Sequence, residues 1–198
     1  MQPEPMEGII QRCLSGEQLA YAALYDQFAP GIYRLCYSLL LNREDAEDVV
    51  QETFVYAFKN LHRFDPALAS LKTWLYTIAI CRCRNLYRRN RRSVLNIGEL
   101  LHQVPLAPRS EHPEAALARQ SVREAVETAL HALNPRLREA VVLRYGHGLT
   151  FREIAEVMDC PQKTAESRVR LAHDALRGRL GPAGQGLLEE LVSIGLDW

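Results

Sequence analysis

Six arginines crowd the eleven residues from 82 to 92 of this 198-residue chain, and aromatic residues lie before and among them. Guanidinium groups pair with phosphates, while aromatic rings stack on unpaired bases. A cluster this dense repels itself on a free surface and therefore indicates an anionic partner. For the aromatic rings, core packing is the alternative, and it is the one we expect for Trp74. The helix predicted over 70–92 is thus a candidate for binding single-stranded DNA.

A second candidate lies near the C-terminus, where helices predicted over 151–158 and 162–179 flank the short turn Asp159-Cys160-Pro161. Small and aliphatic residues recur at helical spacing along the second helix: Ala165, Val169, Ala172 and Leu176. A helix held in this way across a short turn presents its N-terminal half to the major groove of DNA. The alternative is a helical hairpin packed inside an all-α enzyme.

A third patterned segment is the acidic helix predicted over 43–61. Its apolar residues share one face, and polar residues cover the rest: Glu44, Asp45, Glu47, Asp48, Gln51 and Glu52. Taken alone, such a face is as often merely solvated as functional. The other interpretation is that it docks on a basic protein surface, where charge complementarity orients the encounter.

Charge is segregated along the chain, although the formal net charge is zero. Residues 1–60 carry nine acidic and four basic side chains, whereas residues 61–95 carry eight basic and one acidic. Residues 131–180 are basic again, with nine basic and six acidic side chains. Two basic zones separated by acidic ones indicate two contacts with a polyanion.

Composition limits the other classes of function. The 47% hydrophobic content is typical of a folded protein. There is no apolar run of about 18 residues and no signal-peptide core at the start, so we expect a cytoplasmic protein without membrane insertion. Cys81 and Cys83 point apart on a helix, and the six histidines are scattered. We therefore expect free thiols, no metal, no cofactor, no small-molecule substrate and no catalytic residues.

Hydrophobic periodicity predicts an all-α protein with two small helical domains joined by a flexible linker. Helices are predicted over 17–27, 30–41, 43–61, 70–92, 114–132, 135–145, 151–158 and 162–179. Asn42 and Thr150 are predicted N-caps, and Pro30 is placed in the first turn of the second helix. The predicted divisions are a first domain at 1–95, a linker at 96–115 with a possible short helix at 97–103, a second domain at 116–180 and a tail at 181–198.

In this order, the segments resemble the extracytoplasmic-function sigma factors, the small two-domain subunits that direct bacterial RNA polymerase to promoters. The segment from about Leu24 to Arg92 is similar to their region 2, through NREDAEDVVQETF and FDPALASLKTWLYTIAICRCRNLYRRNRR. The segment from about Val126 to Leu180 is similar to their region 4, through LNPRLREAVVLRYGHGLTFREIAEVMDCP and TAESR. The resemblance implies core RNA polymerase, promoter DNA and an anti-sigma factor as partners.

The resemblance also implies roles for residues by position. Core polymerase would be contacted by Asp45, Glu47, Asp48, Gln51, Glu52 and Phe54. The −10 element would be contacted by Ser70, Lys72, Trp74, Arg82, Arg84, Arg88 and Arg89, with a flipped base held by the segment 63–74. The −35 element would be contacted by Gln162, Lys163, Thr164, Glu166, Ser167, Arg168 and Arg170.

The chain departs from the family pattern at the start of the recognition helix. The family usually has P-x-G-T-V-x-S-R, often with a basic residue before the serine, whereas this chain has PQKTAESR. Glu166 at that position can accept a hydrogen bond from cytosine N4, but it repels phosphate. The second interpretation of the chain is a helix-turn-helix regulator that binds duplex DNA without polymerase. The third is a thiol- or metal-dependent helical protein.

Overall fold

The computed structural model describes residues 6–94 and 125–180, with side chains for all of these except 90–94. Within these stretches the chain is helical and contains no β-strand. The helices are α1 (Met6–Leu14), α2 (Gln18–Leu40), α3 (Arg43–Asn60), α4 (Leu71–Val94), α5 (125–131), α6 (Pro135–Val141), α7 (Phe151–Met158) and α8 (Gln162–Leu180). The all-α prediction is confirmed. The linker predicted over 96–115, its short helix and the tail over 181–198 lie outside the described residues.

Helices α1 to α4 form the N-terminal half around a shared aliphatic core. Asn42 caps α3 as predicted, because its side chain accepts a hydrogen bond from the backbone N–H of Asp45 at 3.0 Å. The predicted inner face of α3 is buried throughout: Ala46, Val49, Val50, Phe54, Ala57 and Leu61. The same helix therefore leaves its acidic residues on the outer side.

The prediction of separate helices over 17–27 and 30–41 was wrong, because α2 runs through both ranges as a single helix. One helix of 23 residues passes through Pro30. Proline removes a single backbone hydrogen bond at this point. The buried residues on both sides of it form one continuous face: Ala20, Leu24, Ala29, Ile32, Leu35, Cys36 and Leu39. Packing of that face outweighs the local preference of proline for a helix start.

Helix α1 was not predicted. It has only nine residues and buries just Ile10 and Cys13 against the rest of the N-terminal half. So short a helix is not stable by itself and depends on tertiary packing. Its sequence therefore carried too weak a periodic signal.

The C-terminal half contains the predicted helix-turn-helix. Thr150 caps α7 by accepting from the Glu153 backbone N–H at 3.3 Å, and Glu153 accepts in return from the Thr150 N–H at 2.8 Å. Asp159 ends α7 at φ 51°, in the left-handed conformation that aspartate tolerates. The predicted stripe of α8 is buried in full: Ala165, Val169, Ala172 and Leu176.

The helix predicted over 135–145 is regular only in its first part. Helix α6 ends at Val141, and one π-helical turn, Val142–Gly146, follows. A π-turn admits an extra residue into a helical turn and often lies near a functional site. Here it brings His147 to the surface between the two halves.

The two halves pack against each other in this structure. Helix α4 lies against α7, and α2 contacts both α6 and the π-turn. The buried apolar residues form one cluster that extends through both halves. We call the surface between the halves the seam.

Candidate nucleic-acid interface

Helix α8 carries the predicted −35 residues on its outer side, opposite the buried stripe. Gln162, Lys163 and Arg170 are exposed, and Thr164, Glu166, Ser167 and Arg168 are half-buried. Gln162 Nε2 donates a hydrogen bond to Glu166 Oε1 at 3.0 Å. The single carboxylate among these predicted residues is thus oriented by an amide one turn earlier on the same side.

Helix α4 divides the predicted −10 residues between two surroundings. Lys72 and Arg84 contact the C-terminal half. Tyr76 and Tyr87, which were not among the predicted −10 residues, lie on the same side of the helix and contact that half too. Arg88 and Arg89 are exposed instead. Arg88 donates to the side chain of Asn85 on its own helix. Some of the expected DNA contacts therefore lie in the seam, while others remain accessible.

A bidentate ion pair joins α4 to α6 across the seam. Arg84 Nε and Nη2 donate to the two carboxylate oxygens of Glu139 at 2.9 and 2.7 Å. Glu139 is only 2% exposed, so its carboxylate is shielded from water. Burial alone would lower the pKa of Arg84, but the hydrogen bonding and the negative charge of Glu139, with smaller contributions from Cys81 and Cys160, together raise it.

Arg138 is 4% exposed and also reaches across the seam. Its Nη1 donates to the Leu39 carbonyl at 2.8 Å and to the Tyr87 hydroxyl at 2.9 Å. Leu39 lies in the last turn of α2, where carbonyl groups have no partner within the helix. Nε and Nη2 donate within the C-terminal half, to the carbonyls of Leu130 and His131. Burial raises the pKa of Tyr87 to about 12, so its hydroxyl stays neutral.

A third seam contact centres on His147. Its Nδ1 lies 3.0 Å from the hydroxyl oxygen of Tyr76, and its carbonyl accepts from Lys72 Nζ at 3.0 Å. Burial, together with the positive charges of Lys72 and Arg34, lowers the pKa of His147 to about 3. The imidazole is therefore neutral at pH 7.

A cavity of about 710 Å³ lies beside His147 and is lined by both halves. Three cationic side chains, those of Arg34, Lys72 and Arg144, line it. No carboxylate of the described residues does so. The seam therefore has a positive potential at this end.

The acidic face of α3 lies outside the seam. Glu44, Glu47, Asp48, Gln51 and Glu52 are exposed. Val55 and Tyr56, 53% and 40% exposed, continue the same side of the helix. Phe54 is only 3% exposed, and its ring packs 4.6 Å from Tyr25 and 5.5 Å from Phe58, measured between ring centroids. Phe54 therefore packs in the core beneath α3, and the exposed side chains on the outer side of α3 form the acidic face.

Negative charge is concentrated at the start of this face. Burial, with the neighbouring charges of Asp48 and Glu44, raises the pKa of Asp45. Further along, Glu52 lies 3.7 Å from Arg82 Nη1, and that guanidinium stands 5.2 Å from the ring centre of Tyr56. Arg82 thus connects α4 to the acidic face.

Comparison with known proteins gives these surfaces a family context. The Sigma-70 region 2 model matches residues 24–93, and the Sigma-70, region 4 model matches residues 123–176. The chain is 31% identical over 185 residues to the RNA polymerase sigma-H factor of Pseudomonas aeruginosa. The alignment covers 90% of this chain and 95% of that protein. The chain belongs to the RNA polymerase sigma factors.

Other relatives place this sigma factor in the extracytoplasmic-function group. It is 29% identical over 177 residues to the ECF RNA polymerase sigma factor SigW of Bacillus subtilis, over 86% of this chain and 94% of that one. The sigma factor RpoE of Bartonella quintana, solved in complex with the anti-sigma factor NepR, matches with a TM-score of 0.67 and 26% identity. That match covers 81% of this chain and 96% of the other. The family and function predicted from the sequence are confirmed.

Two predicted −10 residues of the sigma factor have structural contacts of their own. Ser70 Oγ accepts from the Thr73 backbone N–H at 3.1 Å and so caps α4. Trp74 is half-buried, with its ring centre 5.4 Å from that of Phe64. Leu68, between Phe64 and Ser70 in the chain, is 75% exposed in the loop before α4.

The seam partners in region 4 were not among the predicted site residues. Arg138 and Glu139 lie in LNPRLREAVVLRYGH, next to the apolar run of α6. Charged groups are rarely buried without a partner. Their position beside a buried run was the available signal, but nothing in the local sequence identified Arg84 or Leu39 as the partners.

The described part of the sigma factor contains no group of three or more His, Cys, Asp or Glu residues that could hold a metal ion. Among the same residues, no helix combines the length and apolar character needed to cross a bilayer. Cys81 is exposed, whereas Cys83 is buried. A hydrogen bond with Cys36, together with burial, raises the pKa of Cys83 well above its ordinary value, which makes this thiol a poor nucleophile.

Proposed function

We propose that this sigma factor binds core RNA polymerase through the outer side of α3. The exposed carboxylates Glu47, Asp48 and Glu52 lie beside the exposed apolar side chains Val55 and Tyr56. A mixed surface of this kind suits protein docking, because charge orients the encounter while apolar contact adds affinity. Phe54 contributes by holding the helix in place from the core.

The DNA-binding surfaces of the proposal are α4 and α8. Arg82, Arg84, Arg88 and Arg89, with Lys72, contact the non-template strand of the opened −10 element, where phosphates lie within reach of guanidinium groups. The outer side of α8 enters the major groove of the −35 element, with Lys163 and Arg170 as donors and Glu166 as an acceptor. The proposed domain boundaries are residues 1–95 for region 2 and residues 116–180 for region 4.

An anti-sigma factor is a further proposed partner, because the Bartonella quintana relative is bound to one. The protein would act in the cytoplasm, where core polymerase and the chromosome are found. Its action consists of binding and strand separation, so no enzymatic activity is proposed.

The observation that carries the proposal is the segregation of charge between neighbouring helices. Helix α3 presents carboxylates, whereas α4 and α8 present arginine and lysine side chains. One surface thus suits a basic protein, and the other two suit nucleic acid. A duplex-binding regulator would need no separate acidic docking face.

The test is reconstitution of transcription with the purified chain and core RNA polymerase. We expect the chain to copurify with core and to start transcription at promoters mapped after its overexpression. A chain that binds duplex DNA but neither copurifies with core nor directs initiation would overturn the proposal and favour the regulator.

A further inference from the structure

We propose that region 4 masks part of the −10-binding surface of region 2 through an intramolecular latch formed by Arg84 and Glu139. This inference rests on the proposed function, which assigns Lys72 and Arg84 to promoter DNA. In the structure both cations are occupied by region 4, through the Glu139 carboxylate and the His147 carbonyl. We call this arrangement the closed form, and −10 binding requires it to open.

The carboxylate of Glu139 takes the place of a DNA phosphate. Carboxylate and phosphate offer the same pair of acceptor oxygens to a guanidinium, and both form bidentate pairs with arginine. While Glu139 accepts from Nε and Nη2 of Arg84, those donors are unavailable to DNA. Closing the latch and binding DNA therefore compete for the same donors of Arg84.

The masked surface is extended. The contacts begin at Lys72 and end at Tyr87, fifteen residues further along α4, which corresponds to roughly 22 Å of helix. Arg138 fixes the far end by donating to Tyr87 and to the Leu39 carbonyl. Arg88 and Arg89 lie just beyond this end and stay exposed. They remain free to meet DNA before the latch opens.

The closed form depends on both charges of the latch. The side chains of Arg84 and Glu139 are 22% and 3% exposed, so neither is well hydrated while the halves are together. Removing one partner of a buried pair leaves the other charge uncompensated, which is far more costly than separating and hydrating both. Arg136 also approaches Glu139, at 3.5 Å, but from the same half, so it does not connect the halves.

Glu139→Gln is the informative variant. The substitution removes the negative charge of Glu139 and preserves the shape of its side chain. It leaves Arg138 unchanged, which matters because Arg138 also makes hydrogen bonds within region 4. The matched control is Glu156→Gln, which removes a carboxylate from an exposed pair with Arg152 in the same half. Helicity by circular dichroism verifies that both variants fold.

Two measurements on the full chain test the latch. Spin labels on cysteines introduced at the exposed positions Leu19 and Arg177, with Cys81 and Cys160 replaced by alanine, report the distance between the halves. Binding of a fluorescent single-stranded oligonucleotide of mixed sequence reports access to the −10 surface. We expect Glu139→Gln to raise the open-to-closed ratio and the oligonucleotide affinity by at least roughly tenfold, with no change for Glu156→Gln.

A charge swap completes the test. Arg84→Glu should open the chain, and the combination of Arg84→Glu with Glu139→Arg should close it again. Unchanged distances in Glu139→Gln, or opening without a gain in oligonucleotide affinity, would overturn the latch. Failure of the proposed function is distinguishable, because the distance change would persist while neither the wild type nor the variant bound core polymerase.

Discussion

Glu166 is the residue at which the recognition helix departs furthest from the family pattern, and Gln162 already donates a hydrogen bond to it. An oriented carboxylate in the major groove can accept from cytosine N4, whereas one beside the backbone only repels phosphate. The orientation by Gln162 favours the first role. At the scale of single residues, base preference in the −35 element therefore depends on this pair.

We predict that Glu166→Ala relaxes selectivity at one base pair of the −35 element, by roughly 1–3 kcal/mol. Selection of randomised −35 libraries with the wild type and the variant measures this directly. Asp174→Ala, an exposed carboxylate further along α8, is the control and should leave the preferences unchanged. Identical preferences in Glu166→Ala, with tighter binding to every sequence, would show that Glu166 acts only by repelling phosphate.

At the scale of elements, α3 separates two tasks. Its inner face builds the core of region 2, and its outer face is free to dock, so charge can be reversed outside without disturbing packing inside. The Glu52–Arg82 pair is exposed on the Glu52 side and contributes little to stability.

We predict that Asp48→Lys combined with Glu52→Lys weakens binding to core polymerase while helicity is retained, because the charge complementarity of the interface is reversed. Direct titration of labelled core measures the affinity. Glu7→Lys with Asp174→Lys makes the same charge change at exposed positions elsewhere and should have little effect. Equal affinities of the two double variants would argue against α3 as the docking face.

The exposed end of α4 gives a second prediction at this scale. Arg88→Ala combined with Arg89→Ala should reduce formation of the open promoter complex and flatten its salt dependence, since fewer counterions are released on binding. Permanganate reactivity of the melted region, followed over a range of salt concentrations, measures both effects. Normal reactivity with an unchanged salt slope would contradict the assigned role. Arg177→Ala with Arg179→Ala, at the end of α8, is the control.

Local patterns were sufficient for the elements but not for their long-range arrangement. The Asn42 and Thr150 caps and the buried stripes of α3 and α8 depend on residues within a few positions of each other, and all were predicted. The passage of α2 through Pro30 and the π-turn depend on tertiary packing, which periodicity does not contain. The latch joins residues 55 positions apart, so the sequence placed Arg84 on DNA without indicating a competitor.

At the scale of the whole molecule, we expect closure of the two halves to be coupled to proton binding. His147 faces Lys72 and Tyr76 from α4 and Arg34 from α2, and Arg144 lines the same cavity. Tyr76, with its pKa raised to about 12 by burial, stays neutral across the relevant range. A proton on His147 would add a further positive charge beside a cavity that three cationic side chains already line.

We predict that acid opens the molecule. The pKa of His147 is about 3 in the closed form, and an exposed histidine has a pKa near 6.5. The open form therefore binds the proton more tightly, and the closed form loses about tenfold in relative population per pH unit between about pH 6.5 and about pH 3. The label distance measured between about pH 7.5 and about pH 5.5 checks this.

His147→Asn is the control, because its amide oxygen can replace Nδ1 as the partner of Tyr76 without titrating. It should flatten most of the pH response. A pH-independent distance in the wild type would contradict the coupling.

The hydrogen bond from Arg138 to the Leu39 carbonyl joins two residues that are synthesised at different times. Arg138 is synthesised 99 residues after Leu39. The N-terminal half is complete only when α4 ends at Val94, 44 residues before Arg138. At bacterial elongation rates of roughly 5–20 residues per second, it therefore exists for roughly 2–9 s before its cover is made. During that interval, a nascent chain presents an uncovered α4 and the acidic face of α3 together. A nascent chain therefore offers its −10 surface without opening, whereas a finished molecule first has to open.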